Sequence, residues 1–249
     1  MSRPTDLLLF AHLLRQRDRE LDLESTALVL CEPEYPGLDI PAFLAKLDVM
    51  GELARIRLEA ERHCGPAPAD RMLPILRLLY SELGFHGNVA DYYDPRNSFL
   101  NEVIDRRTGN PISLAIVLLA VCRRAGVAAF GISFPGHFLV GVRRRDGTLG
   151  VVDPFDGRMV RRAELRALYE SATGDPGDID ERWLVPAAPR QILVRMLNNL
   201  RAIYEVRGDQ RRLRFVLERM SVLSPSDEVR SRLDALVTNV AIVPRVSVN

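Results

Sequence analysis

His137, in the segment PGHF, and Asp153, in VDPF, stand sixteen residues apart in a stretch otherwise rich in apolar residues. A carboxylate that accepts a hydrogen bond from an imidazole fixes its tautomer and orientation. That is the orienting half of a nucleophile–His–acid set. Such a set needs a nucleophile held at a defined backbone position, best at a helix start where the dipole favours an anion. The helix start before His137 reads Gly109-Asn110-Pro111-Ile112-Ser113, and its nearest hydroxyl is Ser113. A second group lies upstream, where Tyr92, Tyr93, Asp94, Arg96 and Asn97 crowd hydrogen-bonding side chains into a Gly- and Pro-punctuated segment. Long loops of this kind either line a site, here together with Asn110, or pin themselves by their own hydrogen bonds.

These residues must be held by regular elements. Asn110 is a good N-cap, and Pro111 suits the first helical position. The run LAIVLLAV is apolar all round, which predicts a helix buried on most sides. Arg123-Arg124-Ala125-Gly126 supplies basic residues for its last turn and a glycine to end it. VAAFGISF and HFLVGVRR then read as adjacent strands, an Asp146-Gly147 turn closes the hairpin, and TLGVVDPF returns. The expectation is a small antiparallel sheet on one buried helix, with His137 and Asp153 bonded across neighbouring strands. Helices are expected over about 5–18 and 22–32, and from Asp39-Pro41 to Cys64 with Phe43, Leu44, Leu47, Met50, Leu53, Ile56 and Leu58 at helical spacing. A further helix over about Arg71–Leu83 would carry Pro74 in its first turn and Leu73, Leu76, Leu79 and Tyr80 inward. A short helix around Ser98–Arg106 interrupts the loop-rich segment, ELRALYESATG is helical, and RWLVPA, with the single Trp183, is extended. The fold class is α+β, with a domain over residues 1–186 and a helical tail over 187–249.

Composition narrows the function. Formal net charge is +1, so neither nucleic acid nor an anionic membrane is implied as a partner. The three cysteines, Cys31, Cys64 and Cys122, form no CxxC pair and no metal spacing, so no cofactor is expected and a reduced, cytoplasmic setting fits. The apolar run from Leu7 is too short for a signal segment, and no stretch reaches the length of a membrane span. In the tail, Tyr204, Gly208, Leu213 and Pro225 follow at intervals of 4, 5 and 12, as in a tetratricopeptide (TPR) repeat. The expected helices are about Gln191–Arg207 and Gln210–Leu223. Arg201, Leu213 and Met220 replace the small residues of that pattern, and 24 residues after Pro225 are too few for a second full repeat. A lone repeat cannot bury its own face, so this one must pack on the core domain or on a protein partner.

Helix-borne nucleophile, then His, then Asp is the chain order of papain-like acyl-transfer sites. NSFLNEVIDRRTGNPISL, PGHFLV and VDPFDG, with GFHGNVADYYDPRNSFL and MLNNLRAIYEVRGD, resemble the bacterial SirB-type proteins. These have a transglutaminase-like domain of the papain-like cysteine protease superfamily, followed by tetratricopeptide helices. The likeness runs from about residue 22 to 225, in order, and implies that fold and arrangement. It implies no particular reaction. In transglutaminase-like proteins the nucleophile lies in Gly-x-Cys, with Ala four residues later and a helix-ending Gly about fifteen later. Gly109, Ala115 and Gly126 keep that register and put Pro111 at the nucleophile position, with His137 and Asp153 as the other two members.

Ser113 lies two residues past Pro111, about 200° around the helix, and is expected to bond backbone near Asn110 instead of acting as a nucleophile. Cys122 is expected to be an inert core thiol, the His63–Cys64 pair a coincidence of adjacent helix positions, and His12 and His86 surface or loop residues. His137 either holds the sheet through Asp153 or meets a ligand. Arg143–Arg145 and Arg158–Arg162 are solvated faces or, together, an anion patch. Two functions of different class follow. One is a non-catalytic binding or regulatory module whose tail docks on the domain or on a protein partner. The other is a hydrolase or acyl transferase using Ser113, His137 and Asp153.

Overall fold

The computed structural model describes residues 4–61 and 65–241, with side chains described over 7–61 and 65–236. His63 and Cys64 lie outside the described residues. Four helices open the chain: α1 (Pro4–Leu13), α2 (Leu23–Val29), α3 (Ile40–Ala60) and α4 (Pro68–Leu76). Asp22 and Asp39 cap α2 and α3 by accepting from the backbone N–H groups of Ser25 and Ala42. Along α3 the inward stripe is Leu47, Met50, Ala54 and Leu58, so Leu53 and Ile56, expected on the same face, are exposed instead. α4 starts earlier than its apolar spacing suggests, and Pro74 lies inside it, not in its first turn. Proline has no N–H to give its own turn. A π-helical turn over Arg77–Glu82 follows and admits both Leu78 and Leu79 to the core. Met72 and Ile75 take the inner face, while Leu73 is 55% exposed, against expectation.

After two-residue strands β1 (His86–Gly87) and β2 (Thr108–Gly109), which pair in parallel around α5 (Leu100–Arg106), the chain enters α6 (Pro111–Arg124). β3 (Ala129–Ile132), β4 (Leu139–Arg143), β5 (Leu149–Asp153) and β6 (Arg158–Val160) then form one antiparallel sheet in that order. Side chains alternate between its faces. Val140, Val142 and Val152 join the main core with the apolar residues of α6. Leu139, Val151 and Val160 turn the other way and are covered by Leu165 and Tyr169 of α7 (Arg162–Thr173). The antiparallel sheet on a buried helix is present as expected. β6 was not expected, being three residues inside a basic run. Only the second half of RWLVPA is extended: Glu181–Leu184 forms a 3-10 turn, opened by Asp180 accepting from Arg182 N, and Val185 then takes an extended backbone, with Ala187 N donating to Gly131 O at 2.8 Å.

Three helices close the described chain: α8 (Pro189–Arg207), α9 (Gln210–Leu223) and α10 (Asp227–Ala241), the last lying in the expected helical tail beyond the two helices given bounds there. Gly208 ends α8 at φ 65°, and Asp209 caps α9 through Arg212 N. Tyr204, Leu213, Leu217 and Met220 are all buried, and they belong to the same core as α1, α2, α3 and α6.

Candidate functional site

The start of α6 is closed by its own residues. Asn110 Oδ1 accepts from Ile112 N and Ser113 N, each at 3.0 Å, and Ser113 Oγ accepts from Asn110 N at 3.1 Å. The Ser113 proton goes to Asn97 O at 2.6 Å, with Asn110 O at 3.1 Å. Ser113 is fully buried, and His137 is not among its partners. Pro111 is buried as well. The reach from Ser113 back to Asn97 could not be read from helical geometry alone; the local bond to Asn110 could.

His137 and Asp153 meet at the open end of the β4–β5 hairpin. His137 Nε2 lies 3.0 Å from Asp153 Oδ2. His137 is not in a strand as expected, but in the Phe134–His137 turn just before β4, closed by His137 N donating to Phe134 O. Asp153 ends β5, and its Oδ1 accepts from Phe155 N at 2.8 Å. Burial pushes its carboxyl up. The His137 hydrogen bond and charge, with N–H donors from Phe155 and Asp156, outweigh that and hold it below the usual carboxylate range.

Tyr80 and Phe155 brace the acid, and sequence spacing gave no hint of either role. The Tyr80 hydroxyl donates to Pro154 O at 2.5 Å, and burial drives its own ionisation well upward. The backbone lies against both rings. A Cβ at Gly157, which has φ +66°, would fall 2.2 Å from Tyr80, and one at Gly87 would fall 2.4 Å from Phe155.

The upstream loop divides by residue. Asn97 is buried, donating through Nδ2 to Asp91 O at 2.8 Å and to Tyr92 O at 3.2 Å, while its Oδ1 accepts from Asn88 at 3.0 Å. Asp94 is buried, accepting from Arg96 N and Nε, with Arg106 also near. Burial raises its carboxyl, but the Arg96 bonds and the two guanidinium charges bring it below the ordinary value. Tyr92 and Tyr93 are 45% and 69% exposed, and the Tyr92 ring lies 6.0 Å from that of Phe155, beside the acid. One helical residue was missed by sequence reading: Arg195 of α8 donates through Nη1 to Ser133 Oγ and Phe134 O, both at 2.9 Å, and so holds the turn that carries His137. A cation three residues after Ile192, on an otherwise apolar helix face, is the signal that could have found it.

Chemically, this arrangement offers an oriented imidazole with exposed aromatic rings close to its acid, and no nucleophile at the helix start. Cys122 and Cys31 are buried, and burial pushes both thiols up to about 12. Among the described residues no group of three His, Cys, Asp or Glu could hold a metal ion, and no helix is long and apolar enough to cross a membrane. Of the basic residues Arg143–Arg145 and Arg158–Arg162, Arg158 is paired with Asp156 and Glu164.

The buried, depressed carboxylates Asp153 and Asp94 contribute to a pH dependence. Because Asp153 and Asp94 ionise at lower pH folded than unfolded, their stabilisation is complete above the unfolded carboxylate value of about 4 and fades as pH falls through the folded values. Melting temperature should therefore fall as pH is lowered below about 4, and Asp153→Asn should show a shallower fall than wild type. Parallel pH curves for the two proteins would exclude this origin.

The profile of the transglutaminase-like superfamily matches residues 41–198, which includes α3 to α6, the whole sheet, His137, Asp153 and the first half of α8. A UPF0162 protein of Xylella fastidiosa is 44% identical over 193 residues, covering 75% of this chain and 66% of the relative. A UPF0162 protein of Pseudomonas aeruginosa is 31% identical over 187 residues, with the same two coverages. The chain thus matches just under two thirds of the length of these relatives. A shorter similarity, 44% over 63 residues, links 25% of the chain to 10% of mouse F-box only protein 21. No solved structure matches the chain. With the family match spanning well over half of its residues, and with the buried helix, antiparallel sheet and bonded His–Asp pair inside the matched segment, this chain belongs to the transglutaminase-like superfamily.

Proposed function

We propose that the protein is a non-catalytic binding or regulatory module on a transglutaminase-like scaffold. The observation that carries this reading is the α6 start. Pro111 has no nucleophilic atom and no N–H to offer an oxyanion. The adjacent hydroxyl, Ser113, is buried and spent on Asn97 O and the Asn110 backbone. The His137–Asp153 bond then orients an imidazole that contacts a ligand or holds the sheet, and its acid also accepts from the backbone of Phe155, whose ring packs with Tyr92. α8 and α9 act as a TPR-like pair that docks on the domain through its buried face and offers its outer face to a protein partner. The buried free thiols of Cys31 and Cys122 suit a reducing, cytoplasmic setting.

A hydrolase or acyl transferase using Ser113, His137 and Asp153 is the second reading, favoured by the intact 3.0 Å His–Asp contact. Assays with glutamine-amide, peptide and ester substrates separate the two. Wild type should turn over none of them above background, and Ser113→Ala and His137→Ala should be indistinguishable from it. Turnover that both substitutions abolish, in proteins with unchanged circular dichroism, would establish the catalytic reading instead.

A further inference from the structure

The turn between α8 and α9 faces the Asp91–Phe99 loop and the segment after α2 across a cavity of about 400 Å³. It lies apart from the His137 pair: neither His137 nor Tyr92 lines it. Most charges in its walls are matched internally. Arg212 donates to Glu34 at 2.8 Å and to Asp209 at 2.7 Å, and Arg96 pairs with Asp94 at 2.8 Å.

Three groups in the walls are left with binding capacity. Among the described residues the Tyr204 hydroxyl is buried without a hydrogen-bond partner, on a residue only 2% exposed. Arg207, one turn further along α8, spends one donor on Tyr93 O at 3.1 Å and has no acidic partner among the described residues. The Asp91 carboxylate has no hydrogen bond or ion pair among the described residues, although its backbone is fixed by Asn88 and Asn97. An orphaned buried hydroxyl is rare in folded chains, and none of the described residues accepts from this one.

We propose that this cavity binds a small zwitterion, a free α-amino acid or a short peptide, whose carboxylate takes Arg207 and the Tyr204 hydroxyl and whose ammonium takes Asp91. Each alternative class leaves a group unmet. A simple anion does nothing for Asp91 and is repelled by it. A polyamine is repelled by Arg207. An apolar ligand leaves the Tyr204 hydroxyl orphaned in a still drier place. The volume is within the range of small-molecule sites, about 300–1,000 Å³. Arg–carboxylate contact is also the charge-assisted pairing that fixes orientation best.

The test is calorimetry and thermal shift on the full chain with L-alanine, L-glutamine, dialanine and trialanine. Each is matched by an N-acetylated form lacking the ammonium and a C-terminal amide lacking the carboxylate. At least one zwitterion should bind saturably, with both blocked forms at least tenfold weaker. Whether a single amino acid or a peptide binds tightest identifies the source. Asp91→Asn and Arg207→Gln should each weaken binding tenfold or more. Tyr204→Phe should weaken binding too, yet melt at the same or a higher temperature without ligand, because the lost hydroxyl has no hydrogen-bond partner among the described residues. Silence across the panel in wild type, equal binding of blocked and unblocked forms, or full affinity in Tyr204→Phe would each overturn the proposal.

Discussion

Removing residues 187–249 is expected to leave a chain that is insoluble or that melts at least ten degrees below the full protein. The deleted helices do not merely lie on the surface. Leu193, Met196, Leu197 and Leu200 of α8 and Leu217 of α9 have no exposed surface, and they share one core with α2, α3 and α6. Burying a side chain of this size contributes about 2 kcal/mol, so these five alone contribute on the order of 10 kcal/mol. That is comparable to the whole stability of an ordinary domain, about 5–15 kcal/mol. The truncated chain would also expose the apolar faces that they cover, a direct route to aggregation. A milder version reads the same coupling without removing an element. Leu200→Ala should cost about 2–5 kcal/mol in urea unfolding, through lost transfer energy and the cavity left behind. A truncated protein that stays soluble with an unchanged melting temperature would show α8–α10 to be an independent arm.

How much of this was legible in the sequence differs element by element, for physical reasons. α6 could be read because its signals agree: Asn110 and Pro111 at the start, an all-apolar body, and basic residues before Gly126 at the end. The strands of the hairpin could be read for the same reason. α4 was misphased at Leu73 because Met72, Leu73, Ile75 and Leu76 are all apolar, so spacing alone could not tell the buried Met72–Ile75–Leu76 stripe from one shifted by a residue. β6 escaped because its three residues gain their identity from pairing with β5, not from any local pattern. The His137–Asp153 contact followed from strand adjacency, even though His137 sits in the turn before its strand. Its supports did not follow. Tyr80 is 74 positions from Pro154 and Arg195 is 61 from Phe134, and no local rule pairs residues at such distances. The same limit hid the Tyr204 cavity, whose walls come from three separate segments.

Asn97→Leu is expected to destabilise the protein by about 3 kcal/mol and to loosen the 88–97 loop while leaving the α6 cap in place. The replacement is close to isosteric, so the effect isolates hydrogen bonding from packing. Three bonds are lost: from Asn88 Nδ2 at 3.0 Å, to Asp91 O at 2.8 Å and to Tyr92 O at 3.2 Å. Each orphaned buried group costs about 1–3 kcal/mol. Water can reach part of this loop, since Asp91 and Tyr92 are exposed, so the sum stays below three full penalties. The Asn88 amide, deep beside Asn97, has no such relief. Ser113 and Asn110 bond to the backbone oxygen of Asn97, not to its side chain, so the helix start keeps its contacts. Amide exchange should therefore speed up over 88–97 and stay slow at the first turn of α6, while urea unfolding reads the global loss. Asn97→Asp should be no milder, because it sets a negative charge against the Asp91 and Tyr92 carbonyls. The outcome also bears on the role of the residue. A loss below about 1 kcal/mol, with unchanged exchange, would mean that the side chain is not needed to pin the loop, and Asn97 would return to the candidates for ligand contact beside Tyr92 and Tyr93.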